Sequence, residues 1–168
     1  MEIFEYKPQQ WEQAFASERD NLLFNLPQFK FNVEHIGATS INNCRSFRNV
    51  DILLSTKNFV DLSTIAMMLE SKDYKRLPEL STIDCIVLVK KSKVYGCGIT
   101  LRVMEYASLT YRRFLAFKTL LRESYARVQK YNEFRKTLFT KVNHDIKKYN
   151  EGKINYINNL LEENYKFE

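Results

Sequence analysis

The sequence contains little glycine, proline and cysteine. Only 4 glycines and 3 prolines occur in 168 residues, which disfavours collagen-like, linker-rich and turn-dense all-β proteins. The 3 cysteines, Cys44, Cys85 and Cys97, are widely spaced and form no Cys-x-x-Cys pair, so we predict neither a disulfide framework nor a zinc site. No apolar run approaches the ~20 residues that a membrane-spanning helix needs. The acidic N-terminus also lacks the features of a secretory signal, and we expect a cytoplasmic protein with no membrane partner.

Apolar and basic residues are well represented. Hydrophobic residues make up 45% of the chain and aromatic residues 14%, enough to fill the core of one domain spanning residues 1–168. The 26 lysines and arginines exceed the 20 acidic residues, which gives a net charge of +6. This excess favours a polyanionic partner such as a nucleotide or a nucleic acid. Nucleic acid is the less favoured of the two, because the charges are spread along predicted helices without a nucleic-acid-binding motif.

Hydrophobic periodicity predicts an α+β fold. Apolar residues at helical spacing predict one helix from Pro8 to near Pro27 and another over residues 59–71, with Asn58 as its N-cap. Alternating and continuous apolar runs predict strands over residues 31–37, 50–54, 83–89 and 98–105. The last two strands are predicted to be joined by a charged turn over residues 90–93. From Ser108 onward the pattern is helical, with breaks expected near Ser124 and near Gly152. The result is a mixed sheet with an N-terminal helix and a helical C-terminal half.

One segment has the pattern of a phosphate site. A predicted strand ends at Gly37, where the missing side chain allows close approach of the backbone to a phosphate, and Thr39 and Ser40 could donate hydrogen bonds to it. Asp51, on the next predicted strand, could then hold Mg²⁺ against the phosphates. His35 could act near neutral pH beside an anion. The alternative interpretation is purely structural, because Gly-x-Thr-Ser is a common turn and a single aspartate often only caps a loop.

The order and spacing of these residues resemble the nucleotidyltransferase superfamily of polymerase-β type and, more specifically, the GrpB family. Val33–Gly37 reproduces the family's signature, Thr39–Ser40 continues it, and Asp51 lies at the family's distance without a gap. Matching positions also occur along the rest of the chain: Tyr6, Pro8, Trp11, Phe15, Glu18, Glu105, Tyr106, Ser108, Tyr111–Arg113, Leu115–Lys118, Leu121–Arg122, Tyr131, Arg135, Tyr149, Lys153, Tyr156 and Ile157. The resemblance implies a nucleotidyltransferase-like fold over nearly the whole chain.

The sequence also departs from the family's pattern. Ala38 replaces the serine after the signature glycine, Arg48 stands near the position of a family lysine, and Thr100-Leu101-Arg102 replaces a His-x-His. Polymerase-type catalysis uses a second carboxylate two residues after the first, and this position is Leu53. The family shares this single-carboxylate pattern, so the resemblance does not imply a complete two-metal site.

The candidate site therefore combines one metal-ligand candidate with a set of phosphate contacts. Asp51 is the candidate metal ligand, and Glu105 or Asp84 could supply a second carboxylate, so that Asp51 and Glu105 are the candidate catalytic residues. Candidate ligand-binding residues are His35, Gly37, Thr39, Ser40, Arg48, Arg102, Lys118 and Arg122. Arg102 is predicted to share a strand face with Thr100, opposite Ile99 and Leu101, whereas Lys118 and Arg122 share a helix face. A solvated basic surface is the alternative for these cations.

Three functions are compatible with this pattern. The missing second carboxylate, Ala38 and the lost histidines favour a non-catalytic protein that binds a nucleotide or another phosphorylated ligand. The glycine–hydroxyl turn before an aspartate strand also fits a Mg²⁺-dependent nucleotidyl- or phosphoryl-transferase. A protein- or RNA-interaction module that uses the basic helical half is the third alternative.

Overall fold

The computed structural model describes residues 4–167 and contains a five-stranded mixed sheet flanked by helices. The first residues of the acidic N-terminus, on which the expected lack of a secretory signal partly depends, lie outside the described residues. The helices are α1 (Pro8–Asn25), α2 (Asp61–Glu70), α3 (Leu109–Arg122), α4 (Tyr125–Lys141) and α5 (Ile146–Asn164). The strands are β1 (Asn32–Ile36), β2 (Asn49–Thr56), β3 (Lys75–Arg76), β4 (Cys85–Ser92) and β5 (Cys97–Glu105). Two 3-10 helices, Ala38–Ser40 and Pro78–Leu80, complete the secondary structure of the described residues.

The strand order is β1-β2-β5-β4-β3, which places β2 and β5 inside the sheet. Strand β2 pairs antiparallel with β1 and parallel with β5, whereas β4 pairs antiparallel with both β5 and β3. Asp51 is aligned with Ile36 on one side and with Thr100 on the other. The aspartate is therefore flanked by strands on both sides, close to the end of β1.

The two faces of the sheet pack against different helices. One face, which we call the α1–α2 face, buries Val50, Ile52 and Ile99 against Trp11 and Leu62 of those helices. The other, which we call the α3 face, buries Leu53, Val87 and Met104 against Tyr111. Because side chains alternate along a strand, Asp51, Thr100 and Arg102 lie on the α3 face. This confirms the facing predicted for the last strand.

Helix α1 is attached to the sheet by a buried polar cluster. Glu18 is only 7% exposed, and its carboxylate accepts hydrogen bonds from Tyr74 at 2.7 Å and from Asn21 at 2.9 Å. The ammonium group of Lys90, on β4, lies 2.8 Å from the same carboxylate. Burial of an ion pair requires this kind of complete hydrogen bonding, since each charge loses its water.

Each of the three C-terminal helices begins at a capping side chain. Ser108, Ser124 and Asp145 accept hydrogen bonds from the backbone amides of Tyr111, Arg127 and Lys148 and so cap α3, α4 and α5. This confirms the break predicted near Ser124. Ser108 also lies where helical periodicity was predicted to start.

The break predicted near Gly152 is wrong, because α5 continues through it. The chain turns instead at Asn143 and His144, whose φ angles are 51° and 64°. A Cβ atom on Gly152 would lie 2.9 Å from the Cδ1 atom of Leu138. The glycine therefore permits close packing of α5 on α4 and does not end the helix.

Two other element boundaries differ from the predictions. Strand β4 extends through the predicted turn at residues 90–93 to Ser92, so the turn comprises residues 93–96 and includes Gly96 with φ of +61°. Helix α2 begins at Asp61, not at residue 59, although the Asn58 side chain does accept a hydrogen bond from the Val60 amide.

The three cysteines are free, in agreement with the lack of a predicted disulfide framework, and all three are buried. Burial raises the pKa of each thiol, which disfavours the reactive thiolate. Within residues 4–167, no helix combines the length and apolar character needed to span a membrane.

Candidate functional site

The glycine turn lies directly against the Asp51 carboxylate. Strand β1 ends at Ile36, and Gly37 follows with φ of +70° and ψ of −172° before the 3-10 helix Ala38–Ser40. A Cβ atom on Gly37 would lie 2.7 Å from Oδ2 of Asp51. Glycine is therefore required at position 37 for two reasons: other residues avoid this backbone conformation, and a side chain would prevent the close approach to the carboxylate. The structure thus brings Gly37 and Asp51 together.

The two hydroxyl groups of the turn already have partners within it. Thr39 Oγ1 lies 2.9 Å from Nε2 of His35, and Ser40 donates a hydrogen bond of 2.7 Å to the Gly37 carbonyl. Both residues are buried. Their side chains stabilise the turn, and the Gly37 backbone is the part of the segment nearest to Asp51.

A small polar network surrounds Asp51 on the α3 face. The Asn49 amide Nδ2 lies 3.4 Å from Oδ1 of Asp51 and 3.1 Å from Oγ1 of Thr100. A Cβ atom on Gly98 would lie 2.6 Å from Oδ1 of Asn49, so the glycine in β5 makes room for this side chain. The network leaves Asp51 without an ion pair among residues 4–167.

Three cations from different elements approach this network. Arg102, on β5, is two residues after Thr100 and lies on the same face of the sheet. The Cζ atom of its guanidinium group lies 5.3 Å from the centroid of the Phe114 ring. Lys153, on α5, has its ammonium group 5.6 Å from the Tyr149 ring. Arg135, on α4, is 3% exposed and bonds to the Arg45 carbonyl.

The charge of Lys153 is poorly compensated. Burial lowers the pKa of Lys153, the carboxylate of Asp51 raises it, and the positive charges of Arg102 and Arg135 lower it further. Neither Lys153 nor Arg102 forms a hydrogen bond or an ion pair with any residue between 4 and 167, and Arg102 Nε is buried without a partner. The α3 face around Asp51 therefore carries an excess of positive charge.

The two other candidate carboxylates do not join Asp51. Glu105 is aligned with Thr56 and, by strand alternation, lies on the α1–α2 face. It is also five register positions from Asp51, about 16 Å along the strand. Asp84 precedes β4 near that same distant end, where Thr82 and Thr110 donate hydrogen bonds of 2.6 and 2.7 Å to it. These bonds, that of Thr110 first, lower the pKa of Asp84.

The prediction that Glu105 or Asp84 completes a metal site with Asp51 is therefore wrong. No group of three or more His, Cys, Asp or Glu side chains suited to a metal ion occurs in the described part of the chain. A Mg²⁺ ion at Asp51 would have one protein carboxylate and would lie in the field of the Lys153 and Arg102 charges. This donor set does not fit the two-metal arrangement of phosphoryl-transfer enzymes.

His35 lies on the opposite face of the sheet from Asp51. Its ring stacks on Phe15 with a centroid distance of 4.8 Å and an interplanar angle of 12°. Burial, followed by the charges of Lys118 and Arg122, lowers the pKa of His35 to about 4. The imidazole is therefore neutral at neutral pH in the protein without a ligand, and a role for His35 beside an anion stays a prediction.

Lys118 and Arg122 attach α3 to the glycine turn. Lys118 donates a hydrogen bond of 2.7 Å to the His35 carbonyl, and Arg122 donates one of 3.1 Å to the Ser40 carbonyl. With His35, Thr39 and Ser40 they line a cleft of about 290 Å³ beside β1. Glu12 and Glu34 also line this cleft, so its charges are balanced.

The predicted ligand residues thus fall into two groups and an outlier. Gly37 and Arg102 lie with Asp51 on the α3 face, whereas His35, Thr39, Ser40, Lys118 and Arg122 line the cleft beside β1. Arg48 belongs to neither group, because its exposed guanidinium group pairs with Glu5 at 3.0 Å.

Sequence reasoning overlooked Lys153 and Arg135 as site residues. Both positions can be recognised in the sequence, because each places a cation within a helical stripe of otherwise apolar and aromatic residues. Lys153 follows Tyr149 by four residues and precedes Ile157 by four, and Arg135 lies four residues after Tyr131. A cation within a predicted buried stripe needs a partner of opposite charge, which marks such a position as a candidate for a charged site.

Comparison with known proteins agrees with the fold. The crystal structure of conserved protein GrpB from Enterococcus faecalis has a TM-score of 0.79 at 24% identity and covers 95% of this chain and 94% of that chain. The GLD-2/RNP-8 complex gives 0.60 at 14% identity over 95% of this chain and 61% of that chain. The Cid1 poly(U) polymerase with MgGTP bound gives 0.51 at 12% identity over 71% and 38%. These similarities establish a nucleotidyltransferase-like fold.

The sequence itself points to one family. No functionally curated protein matches it, whereas the sequence model described as GrpB protein matches residues 1–163. The signature glycine turn and the aspartate strand, adjacent in the structure, both lie within that range. The chain belongs to the GrpB family.

Proposed function

We propose that this protein binds a nucleotide or another phosphorylated ligand on the α3 face of its sheet, without catalysing group transfer. The observation that carries the proposal is the charge around Asp51. Arg102 and Lys153 lie there without hydrogen bonds or ion pairs to residues 4–167. Both side chains are partly buried. A partly buried cation without a partner is costly, and a phosphate group would supply the missing negative charge and hydrogen-bond acceptors.

The neighbouring groups suit recognition of a phosphate. The guanidinium group of Arg102 can donate two parallel hydrogen bonds to phosphate oxygens, and its stacking on Phe114 limits its rotation before a ligand binds. The Gly37 backbone, without a side chain, lies directly against the Asp51 carboxylate. Asp51 and Asn49 provide acceptors and donors for a hydroxyl group of the ligand.

We infer the absence of catalysis because no second carboxylate lies beside Asp51. Residue 53 is leucine, and Glu105 lies on the other face of the sheet. Two-metal phosphoryl transfer needs carboxylates that converge on both ions, and Asp51 alone does not provide this arrangement. The alternative function, a Mg²⁺-dependent nucleotidyl- or phosphoryl-transferase, requires Asp51 to serve as the metal ligand.

Thermal stability in the presence of ligands tests the proposal. The wild-type protein and the Asp51→Ala variant are heated with nucleoside triphosphates or sugar phosphates, each with Mg²⁺ and with EDTA. We expect at least one phosphorylated compound to raise the Tm, since a ligand that binds only the folded state stabilises it. If no compound raises the Tm under either condition, the proposal is wrong.

Release of pyrophosphate or phosphate separates binding from catalysis. We expect no release above the uncatalysed rate from any triphosphate that binds the wild-type protein. Mg²⁺-dependent release that disappears in Asp51→Ala would establish the transferase alternative. In that assay Asp84→Ala is the matched control, because Asp84 is a carboxylate distant from the α3-face network.

A further inference from the structure

We propose that Lys153 and Arg102 take the place of metal ions at the Asp51 site, so that the ligand is a phosphate monoester dianion bound without Mg²⁺. This inference rests on the proposed function and specifies its ligand class. It departs from the metal–triphosphate complexes named for the Cid1 structural neighbour. The reasons are the charge balance, the burial of Lys153 and the origin of the two cations.

The charge balance matches a dianion. Lys153, Arg102 and Arg135 contribute three positive charges near the single negative charge of Asp51. Glu34, also on this face, lies on the outer strand and acts on Lys118. Burial and then the charge of Arg122 lower the pKa of that lysine, and the charge of Glu34 opposes them, so Glu34 is counted with Lys118 and not with Asp51. The remaining excess of two positive charges equals the charge of a phosphate monoester, which is about −1.5 to −2 at pH 7. A divalent metal ion would increase the excess and would repel both unpartnered cations.

Lys153 is placed for a ligand and not for the apo fold. Its ammonium group lies among Tyr149, Arg102 and Arg135, and it forms no hydrogen bond with the described residues. Such a position costs stability, because the lost hydration of the charge is offset by the Asp51 charge and the Tyr149 ring but by no hydrogen bond. A phosphate oxygen is the acceptor that would offset it.

The two cations come from different parts of the chain. Arg102 belongs to the sheet and Lys153 to the last helix, α5. An anion held by both would connect the α3 face to the helical half. The ligand would then stabilise the protein by linking β5 to α5, which makes thermal stability a direct measure of binding.

The test compares Lys153→Met with Lys148→Met. Methionine keeps the length of the side chain and removes its charge. Lys148 lies on the same helix, its side chain is 69% exposed, and its ion pair with Asp145 is 3.8 Å long. The probes are inorganic phosphate, AMP, the 3′,5′-cyclic diester of AMP and ATP, each in EDTA and in Mg²⁺. AMP and its cyclic form share base and sugar but differ by one phosphate charge.

We expect phosphate and AMP to raise the Tm of the wild-type protein in EDTA, with no further rise in Mg²⁺, and the cyclic diester to bind at least about tenfold more weakly. In Lys153→Met we expect the affinity for AMP to fall at least about tenfold. Without ligand, the Tm of this variant should rise by about 2–4 °C, since a partly buried charge without a hydrogen-bonding partner has been removed. Lys148→Met should retain the wild-type response to both ligands.

Several results would overturn the inference. Binding that requires Mg²⁺ would show that a metal ion is needed to hold the phosphate, and binding that is undiminished in Lys153→Met would show that the lysine does not hold it. Either result would overturn the inference while the proposed function would stand. A lower Tm of unliganded Lys153→Met would show that the lysine has a structural partner. Failure of every phosphorylated probe in both EDTA and Mg²⁺ would remove the proposed function together with this inference.

Discussion

At the scale of single residues, two positions show how the backbone and burial shape the site. Gly37 combines a φ of +70° with a close approach to Oδ2 of Asp51. His35, two residues earlier, is held neutral by burial on the opposite face. Both lie in the segment that the sequence singles out, but they act in different ways. Each leads to a measurable consequence for stability.

Replacement of Gly37 by alanine is expected to destabilise the protein by roughly 2–4 kcal/mol. Its φ and ψ lie in a region almost confined to glycine, and the added Cβ atom would meet the Asp51 carboxylate at 2.7 Å. Urea-induced unfolding measures the change. Gly96→Ala is the control, because φ is +61° there but no atom lies within 4 Å of the added Cβ. It should cost only about 1 kcal/mol.

The contact with Asp51 can be isolated by a double-mutant cycle. In the Asp51→Ala background the carboxylate is absent, so Gly37→Ala should cost about 1 kcal/mol less than in the wild-type background. Equal costs in both backgrounds would mean that backbone strain alone explains the requirement for glycine.

The buried histidine predicts a pH dependence of stability. The folded-state pKa of His35 is about 4, below the usual value of 6.5, so the unfolded chain binds the proton more readily. The stabilisation is complete above pH 6.5 and is lost as the pH falls from 6.5 towards 4, by at most roughly 3 kcal/mol.

The variant His35→Gln should flatten this part of the curve of unfolding free energy against pH. Urea-induced unfolding between pH 7.5 and pH 4.5 provides the measurement. His144→Gln, at an exposed histidine, should leave the curve unchanged in shape. A wild-type decline that persists fully in His35→Gln would assign the acid sensitivity to other groups.

At the scale of elements, a buried ion pair attaches helix α1 to strand β4 of the sheet. Glu18 and Lys90 are far apart in sequence, and their side chains are only 8% and 15% exposed. Tyr74, which lies between α2 and β3, donates a third contact at 2.7 Å. One carboxylate thus connects three separate segments on the α1–α2 face.

We expect Glu18→Gln to destabilise the protein by about 2–4 kcal/mol, because the Lys90 charge loses its partner while it stays largely buried. The double variant Glu18→Gln with Lys90→Met should recover most of this loss. Denaturant-induced unfolding of each variant gives the comparison. Glu70→Gln is the control, since it breaks the half-exposed pair with Arg76 and should cost less than about 0.5 kcal/mol. A similar loss in both single variants would contradict the role of burial.

At the scale of the whole molecule, the net charge of +6 is a poor guide to the site. Most basic side chains are exposed, and several are occupied structurally, as Arg48 is by Glu5 and Lys118 by a carbonyl. The charges that matter for the proposed function are the few on the α3 face. They come from the sheet and from the last two helices, and folding places them near Asp51 without carboxylate partners.

The sequence by itself determined the family, the order of the four longer strands with a helical C-terminal half, and the alternation of β5. These properties depend on local periodicity and on motifs of a few residues, which a single chain displays directly. The Gly37–Asp51 pairing could also be predicted, because both belong to one motif. Turn and helix ends were less predictable, as residues 90–93 and Gly152 show, because tertiary packing can extend a strand or a helix through a weak local signal.

Only the tertiary structure decided which charged groups share a site. In the structure, Glu105 and Asp84 are distant from Asp51, and Glu105 lies on the other face of the sheet. His35 also lies on the other face, whereas Lys153 and Arg135 lie near the aspartate. The physical reason is that electrostatic and hydrogen-bonding partners are chosen by proximity in space, and a strand reverses the direction of its side chains at every residue. Neighbours in sequence can thus face opposite sides of the sheet, while residues a hundred positions apart, such as Asp51 and Lys153, interact electrostatically.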